Sequence, residues 1–183
     1  MSTIKIASLI KKLVKISGKA NVITKSWDKE AYEKGWRYGS GNAFAVTRPG
    51  NLLELWEILK ACNKDGVIII MQAANTGLTG GSTPHGNDYD RPVVIINTMR
   101  IDDIHLIDNG KQIIGLAGST LYSLERKLEK YDREPHSVIG STSIGASIIG
   151  GVCNNSGGSL VQRGPSFTEL ALYARVNKDG KLE

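Results

Sequence analysis

From Gln72 to Asp90 the chain carries no lysine or arginine, and from Ser137 to Gln162 it carries no charged residue at all. The first absence argues against a terminal triphosphate, which is usually held by a lysine and Mg²⁺. The standard phosphate loops are missing too. No G-x-x-x-x-G-K-[ST] occurs, and the spacing Gly77-x-x-Gly80-Gly81 followed by Pro84 is not a G-x-G-x-x-G that opens a helix. Cysteine is scarce: Cys62 and Cys153 each lack a C-x-x-C partner, which excludes a cysteine-built zinc site and a disulfide framework and leaves two reduced thiols. No run approaches the roughly 18 apolar residues of a membrane span. Lys11, Lys12 and Lys15 interrupt any signal-peptide core after Ile6 to Ile10, so the chain reads as intracellular.

The excess positive charge sits entirely at the N-terminus. Residues 1–37 hold nine Lys/Arg against three Asp/Glu, whereas the remainder holds fourteen against fifteen. The basic residues are not interleaved with aromatics and no recognition-helix motif is present, which argues against nucleic acid; an anionic membrane surface is the other partner such a stretch suits. Ile6, Leu9, Ile10, Leu13 and Ile16 share one side of a 3.6-residue wheel and Lys5, Lys11, Lys12 and Lys15 the other, giving an amphipathic helix that ends at Gly18.

What is present centres on Ala73-Ala74-Asn75-Thr76-Gly77-Leu78-Thr79-Gly80-Gly81-Ser82-Thr83-Pro84, which follows the apolar run Val67 to Met71. A buried strand empties into a loop of small residues. Gly77, Gly80 and Gly81 are expected to take positive φ and turn successive N–H groups towards one anion, with Asn75, Thr76, Thr79 and Ser82 as side-chain donors. Without a cation, such a loop suits the internal pyrophosphate of a dinucleotide; the alternative is a mobile surface loop.

Phe44 to Thr47 reads as a strand, Arg48-Pro49-Gly50 as a turn, and Asn51 with Glu54 as a helix start close to a capping box, the helix stopping at Gly66. With Val67 to Met71 this makes a βαβ unit of parallel strands, and the loop falls at the carboxyl end of the second strand, where open α/β sheets bind ligands. Val93 to Asn97 supplies the next strand. Beyond Arg100 the pattern changes: Ile104 to Ile107 and Gln112 to Ala117 flank Asp108-Asn109-Gly110, an Asn-Gly hairpin signal, and a helix follows from about Thr120 to Tyr131. The expected organisation is an N-terminal helix over residues 1–20, one subdomain over 21–100 and a second over 101–183.

The uncharged segment Ser137 to Gln162 contains Gly140, Gly145, Gly150, Gly151, Gly157 and Gly158. It is too polar for a membrane span and too rich in glycine for a long helix. Two readings stand: a neutral surface on which an aromatic ring system such as a flavin lies, or a tightly packed structural region.

At this point the residues resemble a known family. Met71 to Thr79, Pro84-His85-Gly86-Asn87-Asp88-Tyr89-Asp90, Pro135 to Gly140 and Asn154 to Pro165 closely resemble the bacterial respiratory, quinone-dependent D-lactate dehydrogenases, members of the FAD-binding family typified by vanillyl-alcohol oxidase and p-cresol methylhydroxylase. The resemblance runs from about Trp27 to the last residue. It implies an α+β FAD-binding domain of two subdomains, a separate cap over the substrate, non-covalent FAD, D-lactate as substrate and quinone as electron acceptor. It also implies peripheral attachment to the cytoplasmic side of the inner membrane. By the same resemblance Ala73, Ala74, Asn75, Thr76, Gly77, Gly81 and Ser82 hold the pyrophosphate and adjoining atoms of FAD, and Gly140, Ser147 and Gly157 touch the cofactor from the second segment.

The family's chains continue for several hundred residues beyond the position of Glu183. The part that follows there carries the cap and most of the substrate site, so no catalytic acid or base is assigned, and His136 and Arg163 are only neighbours of the flavin segment. The expectation for the 183 residues alone is weak FAD retention and no lactate turnover, or at the extreme a non-catalytic nucleotide-binding module. Leu170 to Val176 reads as a strand entering the Asn177-Lys178-Asp179-Gly180 turn, whose returning strand is cut to Lys181-Leu182-Glu183.

Overall fold

The computed structural model describes residues 3–135, 140–154, 156 and 176–183. Helices and strands are mixed in an α+β arrangement, and the chain divides into two units, Met1–Arg100 with Tyr173–Glu183, and Ile101–Leu172.

In the first unit, helix α1 (Thr3–Ser17) precedes strand β1 (Val22–Ile23), helix α2 (Ser26–Glu33), strand β2 (Ala45–Thr47), helix α3 (Leu52–Asp65) and strands β3 (Ile68–Gln72) and β4 (Val93–Asn97). The sheet order is β1-β2-β4-β3. β2 and β3 are both parallel to β4, while β1 pairs antiparallel with β2. The expected βαβ unit is therefore parallel, but β4 lies between its two strands. The side chains explain why. Val93 to Ile96 are all apolar and all buried, as a strand covered on both faces requires.

The two faces of β4 belong to different cores. Val94 and Ile96 pack with Leu9 and Leu13 of α1 and with Ile58 and Cys62 of α3, whereas Val93 and Ile95 pack with Ala43 and Val46, with Tyr32 of α2 against them. The apolar face of α1 is thus committed to the core: Leu9 and Leu13 are fully buried, each stabilising the fold by about 1.5–3 kcal/mol. Lys5, Lys11, Lys12 and Lys15 remain exposed.

Local chemistry sets the ends of α3. Asn51 accepts from the Glu54 amide at 2.9 Å, and the Glu54 carboxylate reaches back to the Gly50 amide at 2.7 Å, one residue earlier than a strict capping box. Gly66, at φ 66°, ends the helix in the left-handed conformation and Val67 donates back to the Cys62 carbonyl at 3.2 Å.

The second unit contains the hairpin β5 (Ile104–Ile107) and β6 (Gln112–Gly115), antiparallel as expected. Its turn contains the expected Asn-Gly pair and a second, overlapping turn one residue earlier. Asp108, Asn109 and Gly110 all take positive φ (48°, 52° and 78°). Gly110 donates to the Ile107 carbonyl around Asp108-Asn109 and Lys111 to the Asp108 carbonyl around Asn109-Gly110, both at 3.1 Å, so the Asn-Gly pair is central to the second while Asp and Asn tolerate the left-handed region in the first. Helix α4 (Leu121–Leu128) is capped by the Thr120 hydroxyl, which accepts from the Ser123 amide at 3.1 Å, and continues as a 3₁₀ turn to Tyr131. Leu121, Leu124 and Leu128 meet Ile104, Ala146 and Ile148 in this unit's own core. A short helix α5 (Ile148–Cys153) follows.

At the chain's end, Asn177 receives the amides of Asp179 and Lys181 on its side-chain oxygen, both at 3.0 Å, and Val176 bridges Leu182. The short returning arm therefore still pairs once. Of the strand expected over Leu170 to Val176, all but Val176 lies outside the described residues.

Candidate functional site

β3 ends at Gln72 beside Asn97 of β4, and the chain leaves the sheet there into the loop of residues 73–84. Gln72 and Asn97 are both buried, at 2 % and 5 % exposure, and their amides interlock: Asn97 Nδ2 donates to Gln72 Oε1 at 3.2 Å and to the Ala73 carbonyl at 2.9 Å. Gln72 Nε2 donates to the carbonyls of Tyr32 and Ser82, at 2.9 and 2.8 Å. The loop is drawn together further on. Ser82 Oγ donates to Asn75 Oδ1 at 2.8 Å, and Asn75 Nδ2 donates to the Lys34 carbonyl at 2.9 Å.

This geometry corrects the expected glycine roles. Of the three loop glycines only Gly80 has positive φ, at 75°; the second left-handed residue is Asn75, at 55°. Gly77 and Gly81 are not in that region. A Cβ on Gly77 would meet nothing within 4 Å, and one on Gly81 only Thr79 Oγ1 at 3.9 Å, whereas one on Gly80 would lie 2.9 Å from the Tyr38 carbonyl oxygen. Gly80 is required by its own backbone and by the segment behind it. Gly77 and Gly81 instead leave open space in front of the loop. The side-chain donors divide as well: Asn75 and Ser82 are used within the protein, while the Thr76 and Thr79 hydroxyls donate to no described residue.

Among the described residues, no acceptor is paired with any backbone N–H from Ala74 to Ser82. A run of free amides, two open glycine positions and two free hydroxyls form a donor set suited to an anion approached at van der Waals distance. It fits a pyrophosphate better than a cation, which this loop offers few carboxylates to bind: Asp88 and Asp90 stand beyond it and are exposed. Among the described residues no group of His, Cys, Asp or Glu could hold a metal ion.

The element behind the loop was not legible beforehand. Residues 34–42 form an arch closed by the Lys34–Ser40 bridge and by the Gly35 amide on the Gly39 carbonyl at 2.8 Å. Its ends are tied by a partly buried ion pair, since Glu33 accepts from Lys29 Nζ and from the Ala43 amide, both at 2.8 Å, and Lys29 Nζ also donates to the Ala43 carbonyl. The arch lies directly on the loop. Gly41 bridges Gly86, Gly86 donates to the Ser40 carbonyl at 2.7 Å, and a Cβ on Gly39 would fall 2.3 Å from Thr83 Oγ1. The available signal was Gly35, Gly39 and Gly41 within seven residues, a density that marks close backbone approach. Beside the arch an open hollow of about 540 Å³ is lined by Trp27, Trp36 and Lys34, with Ala74 and Asn75 of the loop.

In the second unit Gly140 is exposed, with nothing within 4 Å of an added Cβ. Ser147 is buried, and its Oγ accepts from the Gly150 amide at 3.0 Å as the cap of α5, so that hydroxyl's first role is to start a helix. Gly157, His136 and Arg163 lie outside the described residues. Cys153 is exposed at the end of α5, and Cys62 is buried.

Comparison with known proteins places this geometry. A family model described as FAD binding domain matches residues 43–183. The chain is 61% identical over 178 residues to the quinone-dependent D-lactate dehydrogenase of Haemophilus influenzae, covering 97% of this chain and 32% of that protein. It is 57% identical over 182 residues to the enzyme of the same name from Escherichia coli, again covering 32% of it. The chain thus spans about a third of the length of these curated relatives. Among solved structures, p-cresol methylhydroxylase with substrate bound superposes on the whole chain with a TM-score of 0.78 at 16% identity, and 4-ethylphenol oxidase from Gulosibacter chungangensis with 0.76 at 16%; in each the chain covers about a third of the other protein (36% and 35%). These two similarities speak for the fold, which is that of the p-cresol methylhydroxylase type.

Proposed function

The chain belongs to the FAD binding domain family, and from that membership we propose that it holds FAD non-covalently with the pyrophosphate on the loop of Ala73, Ala74, Asn75, Thr76, Gly77, Gly81 and Ser82. The observation that carries this reading is the run of uncommitted amides from Ala74 to Ser82 at the carboxyl end of a parallel sheet. The backbone of this run binds the phosphates, the Thr76 and Thr79 hydroxyls add donors, and Asn75 and Ser82 fix the loop's shape. Gly140 offers an open backbone position in the second unit, and Gly157, outside the described residues, is proposed as a further cofactor contact. Ser147 starts α5 by accepting the Gly150 amide, which leaves its hydroxyl proton to donate to the cofactor. FAD, once bound, supplies the redox chemistry; these residues supply position.

For the whole protein we propose oxidation of D-lactate to pyruvate with electrons passed to a quinone, in line with the names of its relatives. We further propose peripheral attachment on the cytoplasmic side of the membrane, helped by the exposed lysines of α1. Among the described residues no helix is long and apolar enough to cross a membrane.

Titration of FAD into the purified whole protein, followed by flavin fluorescence and by the absorption bands of flavins near about 370 and 450 nm, tests the cofactor reading. Saturable FAD binding with no competition from NAD is the expected result. Tight NAD binding without flavin uptake refutes it.

A further inference from the structure

We propose that Gln72 is a positioning residue for the cofactor: its buried carboxamide clamps the two ends of the 73–82 loop and holds the free amides of residues 74–82 in their binding conformation. This rests on the reading of that loop as the pyrophosphate site.

The clamp is fully satisfied. Both Nε2 hydrogens of Gln72 are used, one on the Tyr32 carbonyl in the last turn of α2 and one on the Ser82 carbonyl at the far end of the loop. Its Oε1 receives Asn97, whose second hydrogen goes to the Ala73 carbonyl at the near end. Turning the Gln72 amide over would set its oxygen against the carbonyl oxygens of Tyr32 and Ser82, so the network accepts one orientation only. The backbone of Gln72 is fixed as well, its carbonyl receiving the Thr98 amide at 2.8 Å. One side chain thus joins α2, β3, β4 and both ends of the loop.

A loop that binds an anion without its own cation depends on donors already in place, because the cost of ordering them is otherwise taken from the binding energy. Between Gln72 and Asp90 there is no Lys or Arg to compensate. An apolar residue at position 72 would leave two carbonyls and one N–H of Asn97 without partners. Of the loop's other side-chain ties, Ser82 to Asn75 and Thr83 to Gly80 join the loop to itself and Asn75 to the Lys34 carbonyl joins it to the arch, none of them to the sheet.

Gln72→Met conserves volume and removes the clamp. The variant should keep a native far-UV circular dichroism spectrum, bind FAD about tenfold more weakly, and be cut faster by thermolysin at Leu78, the exposed apolar residue of the loop. An FAD affinity within twofold of wild type, or unchanged cleavage at Leu78, overturns the proposal. A second measurement needs no variant: in wild-type protein the Gln72 side-chain amide protons should exchange with solvent at least about a hundredfold more slowly than those of exposed Gln112. Equal exchange overturns the clamp even where Gln72→Met fails to fold. Failure of the wild type to take up FAD, with the Gln72 amide protected, refutes the cofactor reading and with it the positioning role, whereas unprotected Gln72 beside normal FAD uptake refutes the clamp alone.

Discussion

Gly80 and Gly81 are adjacent in sequence and opposite in physical circumstance, so replacing each by alanine separates folding from binding. At Gly80 the backbone is left-handed, with φ 75°, and an added Cβ would stand 2.9 Å from the Tyr38 oxygen and 3.1 Å from its carbonyl carbon. The left-handed conformation costs an L-residue roughly 1–2 kcal/mol, and the overlap with the arch's backbone, which cannot rotate away as a side chain could, costs roughly 1–3 kcal/mol more. Gly80→Ala should therefore lose about 2–5 kcal/mol. With a urea slope of about 2 kcal/mol per molar, its unfolding midpoint should fall by about 1–2.5 M. Gly81 has no left-handed requirement, and its Cβ would find only Thr79 Oγ1 at 3.9 Å. Gly81→Ala should leave stability within about 0.5 kcal/mol of wild type.

The binding assay should invert that order of interest. The Cβ of Gly81→Ala projects into the space proposed for the pyrophosphate, so its FAD affinity should drop by about tenfold while its urea midpoint stays in place. Urea unfolding followed by far-UV circular dichroism, together with FAD titration of the same preparations, measures both. Equal loss of stability in the two variants, or an unshifted midpoint for Gly80→Ala, refutes the account of the loop backbone.

Burial, reinforced by Asp65, pushes the Cys62 thiol up to about 12, so it should resist thiol reagents at pH 8 while exposed Cys153 reacts; two equally fast equivalents would contradict the burial. Because the folded state holds that proton more tightly than the unfolded one, Cys62's contribution to stability is complete below about pH 9 and should decline as pH rises from there towards 12, which urea midpoints across that window would detect. Thr47 Oγ1 is buried with no hydrogen-bond partner among the described residues, so Thr47→Val should be neutral or should stabilise by about 1 kcal/mol; a loss of that size would mean the hydroxyl has a partner. Changing Lys5, Lys11, Lys12 and Lys15 to Gln should weaken binding to anionic vesicles by roughly 1 kcal/mol per lysine near the surface, least for Lys12, which pairs with Asp65 at 2.9 Å. Unaltered vesicle partition would reduce that face to a solvated surface.

Where a local rule decides the outcome, the chain was readable before its structure. Asn51 and Gly66 bound α3 because a side-chain oxygen and a left-handed glycine answer a helix's unpaired ends, needs that do not depend on the rest of the fold. The apolar run Val93 to Ile96 likewise announced a strand, though not its place in the sheet. The glycine loop was legible as a site but not in its internal assignment. Composition marks Gly77, Gly80 and Gly81 alike, and only the arch of residues 34–42, which meets Gly80 from behind, distinguishes a glycine needed for the fold from glycines that leave room for a ligand. That arch has no hydrophobic period to betray it: it is closed by Lys34 with Ser40 and Gly35 with Gly39, and held to the chain beyond the loop by Gly41 with the distant Gly86.

The same reasoning explains why Gln72 and Asn97 escaped notice. Each is the polar residue that closes an apolar run, Val67 to Met71 and Val93 to Ile96, and a polar residue in that place ordinarily marks the strand's exit into solvent. Their partnership exists because β4 enters the sheet between β2 and β3, pairing Gln72 with Asn97 at the carboxyl ends of two parallel strands. With β2 and β3 as neighbours, the Gln72 amide would have no such partner, and burying it would be costly. The insertion of β4 thus makes a buried Gln72 tolerable, and a buried Gln72 can in turn reach Ser82 and hold the loop closed on itself. Strand order, a property spread over the whole unit, therefore anchors a loop whose own ties, such as Ser82 to Asn75, do not reach the sheet.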